Sequence, residues 1–127
     1  MTKIRTLVFA AIATLVAAVA VAATVNVSWI NATQNTDNSA IPATGPGSIV
    51  STRITWGTCN GTDFGTRSGE VVVDGAATAA QLELPVGTWC AYAQHSNTYG
   101  VESDPSNIAQ RTIAPPRPRA PSGFTLG

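Results

Sequence analysis

The side chains able to do chemistry are few in this sequence and thinly spread. There is one histidine, His95, followed directly by Ser96, and there are two cysteines, Cys59 and Cys90, with 30 residues between them. Three carboxylates, Asp37, Glu102 and Asp104, sit in stretches rich in turn-forming residues. A histidine beside a hydroxyl is the minimum from which a nucleophile and its base are built. Such a pair works only where the ring is open to substrate. The alternation of residues around His95 points it inward, where a histidine serves as a hydrogen-bonded core residue. The carboxylates lack the spacing of a calcium loop, and the cysteines lack the Cys-x-x-Cys spacing of a redox pair. These residues predict no catalytic centre, no metal site and no cofactor, and a small hydrolase would need His95 exposed beside Ser96.

What must position these residues is a set of strands. From Gly87 onward, Trp89, Ala91, Ala93 and His95 share one face while Cys90, Tyr92 and Gln94 share the other, because side chains alternate along a strand. Elsewhere short runs of Val, Ile, Thr and Trp are separated by Gly, Asn, Asp and Pro, with no long helical period after the first residues. That pattern predicts an all-β antiparallel sandwich. Its expected core is Val25, Val27, Trp29, Ile54, Trp56, Val71, Val73, Leu82, Leu84, Trp89 and Ile108.

Residues 1–22 stand apart. Met1 to Arg5 is short and basic, Thr6 to Val21 is almost wholly apolar, and Ala20-Val21-Ala22 offers a small-x-small cleavage site, the marks of a signal peptide cut after Ala22. The alternative is an uncleaved anchor, which would be the chain's one link to a membrane. Export predicts a secreted, periplasmic or surface-associated protein, in which two cysteines suggest one disulfide. Of seven basic residues, losing Lys3 and Arg5 leaves five against seven acidic, a net charge of −2 with no lysine. A weakly acidic domain without a basic stripe has no means of holding a phosphate backbone, so nucleic acid is not an expected partner. Arg111, Arg117 and Arg119 gather near the C-terminus, where they solubilise a tail.

Four stretches, Val25-Asn-Val-Ser-Trp29, Arg53-Ile-Thr-Trp-Gly57, the Leu-Pro-x-Gly-Thr lead-in from Leu84 to Thr88, and Gly100 to Asn107, together resemble a fibronectin type III domain of the secreted bacterial or phage kind. The first two look like that family's second and third strands. The resemblance implies a fibronectin type III-like, immunoglobulin-like β-sandwich over residues 23–114, followed by a Pro/Arg-rich tail over residues 115–127. Two departures stand out: the family's first strand is missing before Val25, and Ala91, Ala93 and His95 replace the usual large residues of the sixth strand. In the resembled fold the third and sixth strands are neighbours, which would bring Cys59 and Cys90 together. Trp89 occupies the place of a tyrosine that ties down a corner, and can donate there only through its indole N–H.

The resemblance also implies that the loop from Asn31 to Ser48, the turn Asp74-Gly75-Ala76 and the loop from Ser96 to Pro105 share the end that many relatives use for recognition. A loop as long as the first is either functional or poorly ordered. Tyr99 is the only aromatic residue in the three, and with Asn97, Asp37 and Asn38 it forms the candidate binding set. Phe64, with Asn60 and Asp63, belongs to the opposite end. The expected function is a non-enzymatic interaction or adhesion module, an accessory of a surface or particle with a protein partner. The alternative is a carbohydrate-binding module for cell-surface glycans, which would present exposed tryptophans as a platform.

In the tail, Pro115-Pro-Arg-Pro-Arg-Ala-Pro121 predicts an extended polyproline-like spacer. Ser122-Gly-Phe-Thr-Leu-Gly127 then resembles the family's opening strand, the element missing before Val25. Phe124 and Leu126 alternate correctly for one buried face. They can supply a strand to their own domain or to a neighbouring copy, and the alternative is a disordered tail.

Overall fold

The computed structural model describes residues 22–127, and within them six strands follow one another without a helix: β1 (Ala22–Ser28), β2 (Ile49–Asn60), β3 (Asp63–Asp74), β4 (Ala79–Pro85), β5 (Gly87–Asn97) and β6 (Ala109–Ile113). The expected signal peptide lies outside the described residues except for Ala22, which opens β1. Among the described residues no helix is long and apolar enough to cross a membrane. All strand pairings are antiparallel, and they form two sheets, β1-β4 and β3-β2-β5-β6.

The alternation read from the sequence is what packs the sheets together. Val25 of β1 and Leu82 and Leu84 of β4 are buried against Ile54 of β2, with Trp56, Val71, Val73, Trp89, Ala91 and Ala93 packed around them. Trp56 and Trp89 meet edge to face at 5.2 Å between ring centroids. Ile108 does not belong to this core. It precedes β6 and is half-buried, and Ile113 packs in the core instead. The reason is register: Ala91 pairs with Ala109 and Gly87 with Ile113, so the odd-numbered residues of β6 lie on the core side.

Two tight connections shape the molecule. Gly61 (φ 66°) and Thr62 alone join β2 to β3, the arrangement of a hairpin turn with glycine first. The ladder behind it is irregular at Gly57, where a side chain would be impossible, since a Cβ would stand 2.0 Å from the Thr66 carbonyl oxygen. The resulting bend lays Phe64 edge to face on Tyr92 at 5.0 Å, next to the pairing of Cys59 with Phe64. Beneath it Cys59 and Cys90 form a disulfide, Cα to Cα 5.2 Å, and Cys90 is wholly buried although it faces away from the core. The second connection is Val86, the single residue between β4 and β5 as the chain crosses from one sheet to the other. The Trp89 indole N–H donates to the Pro85 carbonyl at 2.8 Å and fastens this corner.

Candidate functional site

The far end of the sandwich from the disulfide gathers the connections after β1, β3 and around the end of β5. Register requires this, because Ile49 at the start of β2 pairs with Asn97 at the end of β5, and Ser51 pairs with Asp74 at the end of β3. The long connection before β2 is tied to the rest of the domain by hydrogen bonds. Trp29 donates its indole N–H to Asn31 at 2.8 Å, and the Asn31 amide donates to the Gly75 carbonyl at 3.2 Å, so loop and turn are tied. Beyond them the chain makes a small hairpin of its own, with Gln34 bridged to Ala40 and Ile41 donating to Thr33.

Asp37 and Asn38 form the tip of that hairpin, and their polar groups are used within it. The Asp37 carboxylate accepts from the Ser39 hydroxyl at 2.5 Å and from the Ser39 backbone N–H at 3.0 Å, which holds its pKa below the ordinary value. Asn38 takes the left-handed conformation, φ 70°, that asparagine tolerates in turns. Asn97 plays the matching part in the other loop, its side-chain oxygen accepting from the Tyr99 and Val101 backbone N–H groups at 3.0 Å each.

The two loops are then pinned to each other beside Tyr99. Gly47 donates to the Thr98 hydroxyl at 2.6 Å and Thr98 donates to the Ser48 carbonyl at 3.1 Å. Tyr99 rests one ring edge over Gly47, beside Pro42, yet remains 70% exposed. Asn97 and Tyr99 thus share one turn, while Asp37 and Asn38 sit on the separate hairpin tip.

Between the hairpin and the loop after β5 runs a groove of about 350 Å³, to which the hairpin contributes Gln34, Asn35 and Thr36, and the other side Asn97, Glu102 and Asp104. His95 lies at its base. The Ala32 backbone N–H can only donate, so His95 Nε2 at 3.4 Å is the acceptor, and the proton is on Nδ1, which donates to the wholly buried Thr52 hydroxyl at 2.8 Å. Loss of hydration keeps the ring's pKa below its ordinary value. Both ring nitrogens are engaged by Ala32 and Thr52, and neither is bonded to Ser96. Among the described residues no group of three or more His, Cys, Asp or Glu side chains is placed to hold a metal ion.

Sequence reasoning missed the flank of the groove. Arg53 forms an ion pair with Glu102 and donates to the Gln94 side chain at 3.1 Å, fixing the loop after β5 against the outer face of the sheet. Arg53 and Gln94 each fall on the outward face by alternation, but only the register that sets them opposite each other reveals the contact. Neither models of known protein families, nor curated proteins, nor solved structures give a match to this chain.

Proposed function

We propose that the chain is an exported, non-enzymatic interaction module of fibronectin type III-like architecture that binds a protein partner through the loop end around Tyr99. The observation that carries this reading is an aromatic side chain left 70% exposed on loops whose backbone is already hydrogen-bonded in place. A preordered tyrosine offers a large amphipathic contact at little entropic cost, because it has few rotatable bonds to freeze. Two further points support it: the division into sheets of two and four strands, with the long loops at one end, and the disulfide, which suits an oxidising compartment.

The same structure favours protein over sugar as the partner. All three tryptophans are partly buried, two of them packed against each other edge to face, so none forms the open flat platform expected of a carbohydrate-binding module.

The test is a binding measurement with the exported chain and its Tyr99→Ala variant, against surface proteins of the exporting cell and against a panel of glycans. The expected result is protein binding that Tyr99→Ala weakens by about 2 kcal/mol, roughly thirtyfold, with the melting temperature unchanged. Binding that survives the substitution moves the site elsewhere on the molecule. Binding to glycans alone replaces this reading with the carbohydrate one.

A further inference from the structure

The two sheets differ in how their edges are finished, and among the described residues one edge is bare. In the β1-β4 pair, Trp29 donates to the Thr78 carbonyl, which continues the register Val27 with Ala80 and Val25 with Leu82. In an antiparallel ladder the residues that bond to the partner strand alternate with those that point away from it. The backbone groups of Thr24, Asn26 and Ser28 therefore face the open side of β1, where the two-stranded sheet ends among the described residues.

The other three edges carry features that discourage pairing. On β4 the open side falls to Glu83 and to Pro85, which has no N–H to offer. β3 is broken by register shifts and carries the Arg67–Glu70 ion pair. β6 is five residues long, includes Arg111, and is followed by Pro115 and Pro116. β1, Ala-Ala-Thr-Val-Asn-Val-Ser, has no charge, no proline and no shift in register.

Beside that edge the sandwich is open. Two adjoining hollows of about 240 and 610 Å³ run between β1 on one side and β5 and β6 on the other. The floor facing β1 is made of Ala91, Ala93 and Ala109, small side chains that leave the space of a missing layer, with Trp56 and Trp89 at one end. Among the described residues Arg111 is the only charged one that lines them. A strand laid along β1 would cover this seam and meet its unpaired backbone groups.

The chain carries a segment of matching character. Residues 122–127 have no charge, and Phe124 and Leu126 are 83% and 92% exposed, with only Gly, Ser and Thr between and around them. In an extended conformation both apolar side chains fall on one face and the small residues on the other. No strand pairing involves residues 114–127.

Their own β1 is poorly placed to receive them. β6 ends with Ile113 opposite Gly87, at the same end of the sandwich as Ala22, which pairs with Pro85. An antiparallel strand on β1 must begin at the other end, about 23 Å away at 3.3 Å per strand residue. The spacer of residues 115–121 spans about 22 Å only when fully stretched in polyproline form, which leaves nothing with which to reverse direction. A parallel strand would begin beside Ile113, and there the stiff spacer has no short path to follow.

We propose that residues 122–127 of one copy of this chain add as a strand to the free edge of β1 in a second copy, seating Phe124 and Leu126 in the seam between its sheets. Donor and acceptor are different surfaces of the same molecule, so the contact is head to tail and builds open chains or closed rings. It lies away from Tyr99 and is independent of what the loop end binds.

Sedimentation velocity on the full exported chain over a range from micromolar to several hundred micromolar tests this with two variants. Phe124→Asp with Leu126→Asp spoils the donor on an exposed tail where the fold is not at stake. Asn26→Pro spoils the acceptor by removing an N–H that the β1-β4 ladder does not use, at the loss of one exposed side-chain bond from Gln81. The wild-type chain should grow in mass with concentration, and Tyr99→Ala should grow with it. Each edge variant alone should remain monomeric, and mixing the two, one with an intact donor and the other with an intact acceptor, should give a one-to-one pair. A wild-type chain that stays monomeric throughout, assembly that persists with the donor variant, or a mixture that fails to pair would each overturn the proposal. Should Asn26→Pro fail to fold, the peptide Ser-Gly-Phe-Thr-Leu-Gly replaces it: it should return wild-type assemblies to monomer, and no effect counts against the proposal.

Discussion

The two ends of the sandwich are held by different forces. At one end the chain turns in two residues, a disulfide crosses from β2 to β5, Phe64 packs on Tyr92, and the Trp89 indole locks the β4–β5 corner. At the other, long connections are held by hydrogen bonds that Asn31 donates and that Asn97, Thr98 and His95 accept, most of them near solvent. Hydrogen bonds of that kind contribute about 1 kcal/mol each, whereas the cross-link constrains every unfolded conformation. Global stability is therefore expected to depend most on the disulfide end, and local opening, with any recognition that uses it, on the loop end.

The largest effect that can break this contrast is removal of the cross-link. With a sequence separation of 31, the disulfide should stabilise the fold by roughly 3–4 kcal/mol on the chain-entropy model. Cys59→Ala with Cys90→Ala, or reduction of the native chain, should lower the melting temperature by more than about 10 °C. Calorimetry of oxidised and reduced protein measures it directly. A shift of only a few degrees would mean that the hydrogen-bonded end contributes as much to global stability as the covalent one.

A smaller effect is expected from Asn97→Ala. It leaves two backbone N–H groups without their acceptor, but in a turn that water can reach, so the cost should be about 1–2 kcal/mol. Hydrogen exchange should then accelerate around Thr98–Val101 while the amides of β2 and β5 near the disulfide keep their protection. Equal acceleration at both ends would show that the sandwich opens as one unit and that the two ends are not energetically separate.

What the sequence made legible follows the same division. Period-2 alternation needs no knowledge of tertiary structure, which is why Val25, Ile54, Leu82 and Leu84 could be assigned to the core before the fold was seen. Ile108 was expected in the core and Ile113 takes that place, because Ala-Gln-Arg-Thr-Ile carries no alternation and its facing is set by pairing with β5. Phe64 on Tyr92 depends on the irregular register at Gly57, which no local pattern announces. In the candidate site, the exposure of Tyr99 was accessible from its surroundings of Asn, Thr and Gly. The hairpin in the loop before β2 was not, although Asp37-Asn38-Ser39 holds the turn residues that create it. Their effect depends on Ile41 meeting Thr33 and Ala32 meeting His95, contacts made only once the sheets are assembled.

The smallest effect sharpens the contrast by confining a pH response to one end. His95 holds its proton on Nδ1 for Thr52 and leaves Nε2 free to accept from Ala32, so a second proton would set two donors against each other at Nε2. Burial accordingly holds the folded pKa below the ordinary 6.5. An unfolded chain with the ordinary value binds the proton first as pH falls, and stability decreases wherever the unfolded state binds more protons. The contribution of neutral His95 is thus fully present above about pH 6.5 and is lost as pH falls from there toward the depressed folded value. Glu102 and Asp104 line the same groove. Melting temperatures at pH 7.5 and 5.5 should fall for the wild type and stay closer together for His95→Gln. Exchange at Ala32 should rise at the lower pH, while amides beside the disulfide should not respond. If the amides around Cys90 responded instead, the proton would be acting on the whole sandwich, and the loop end would not be the separately opening part of the molecule.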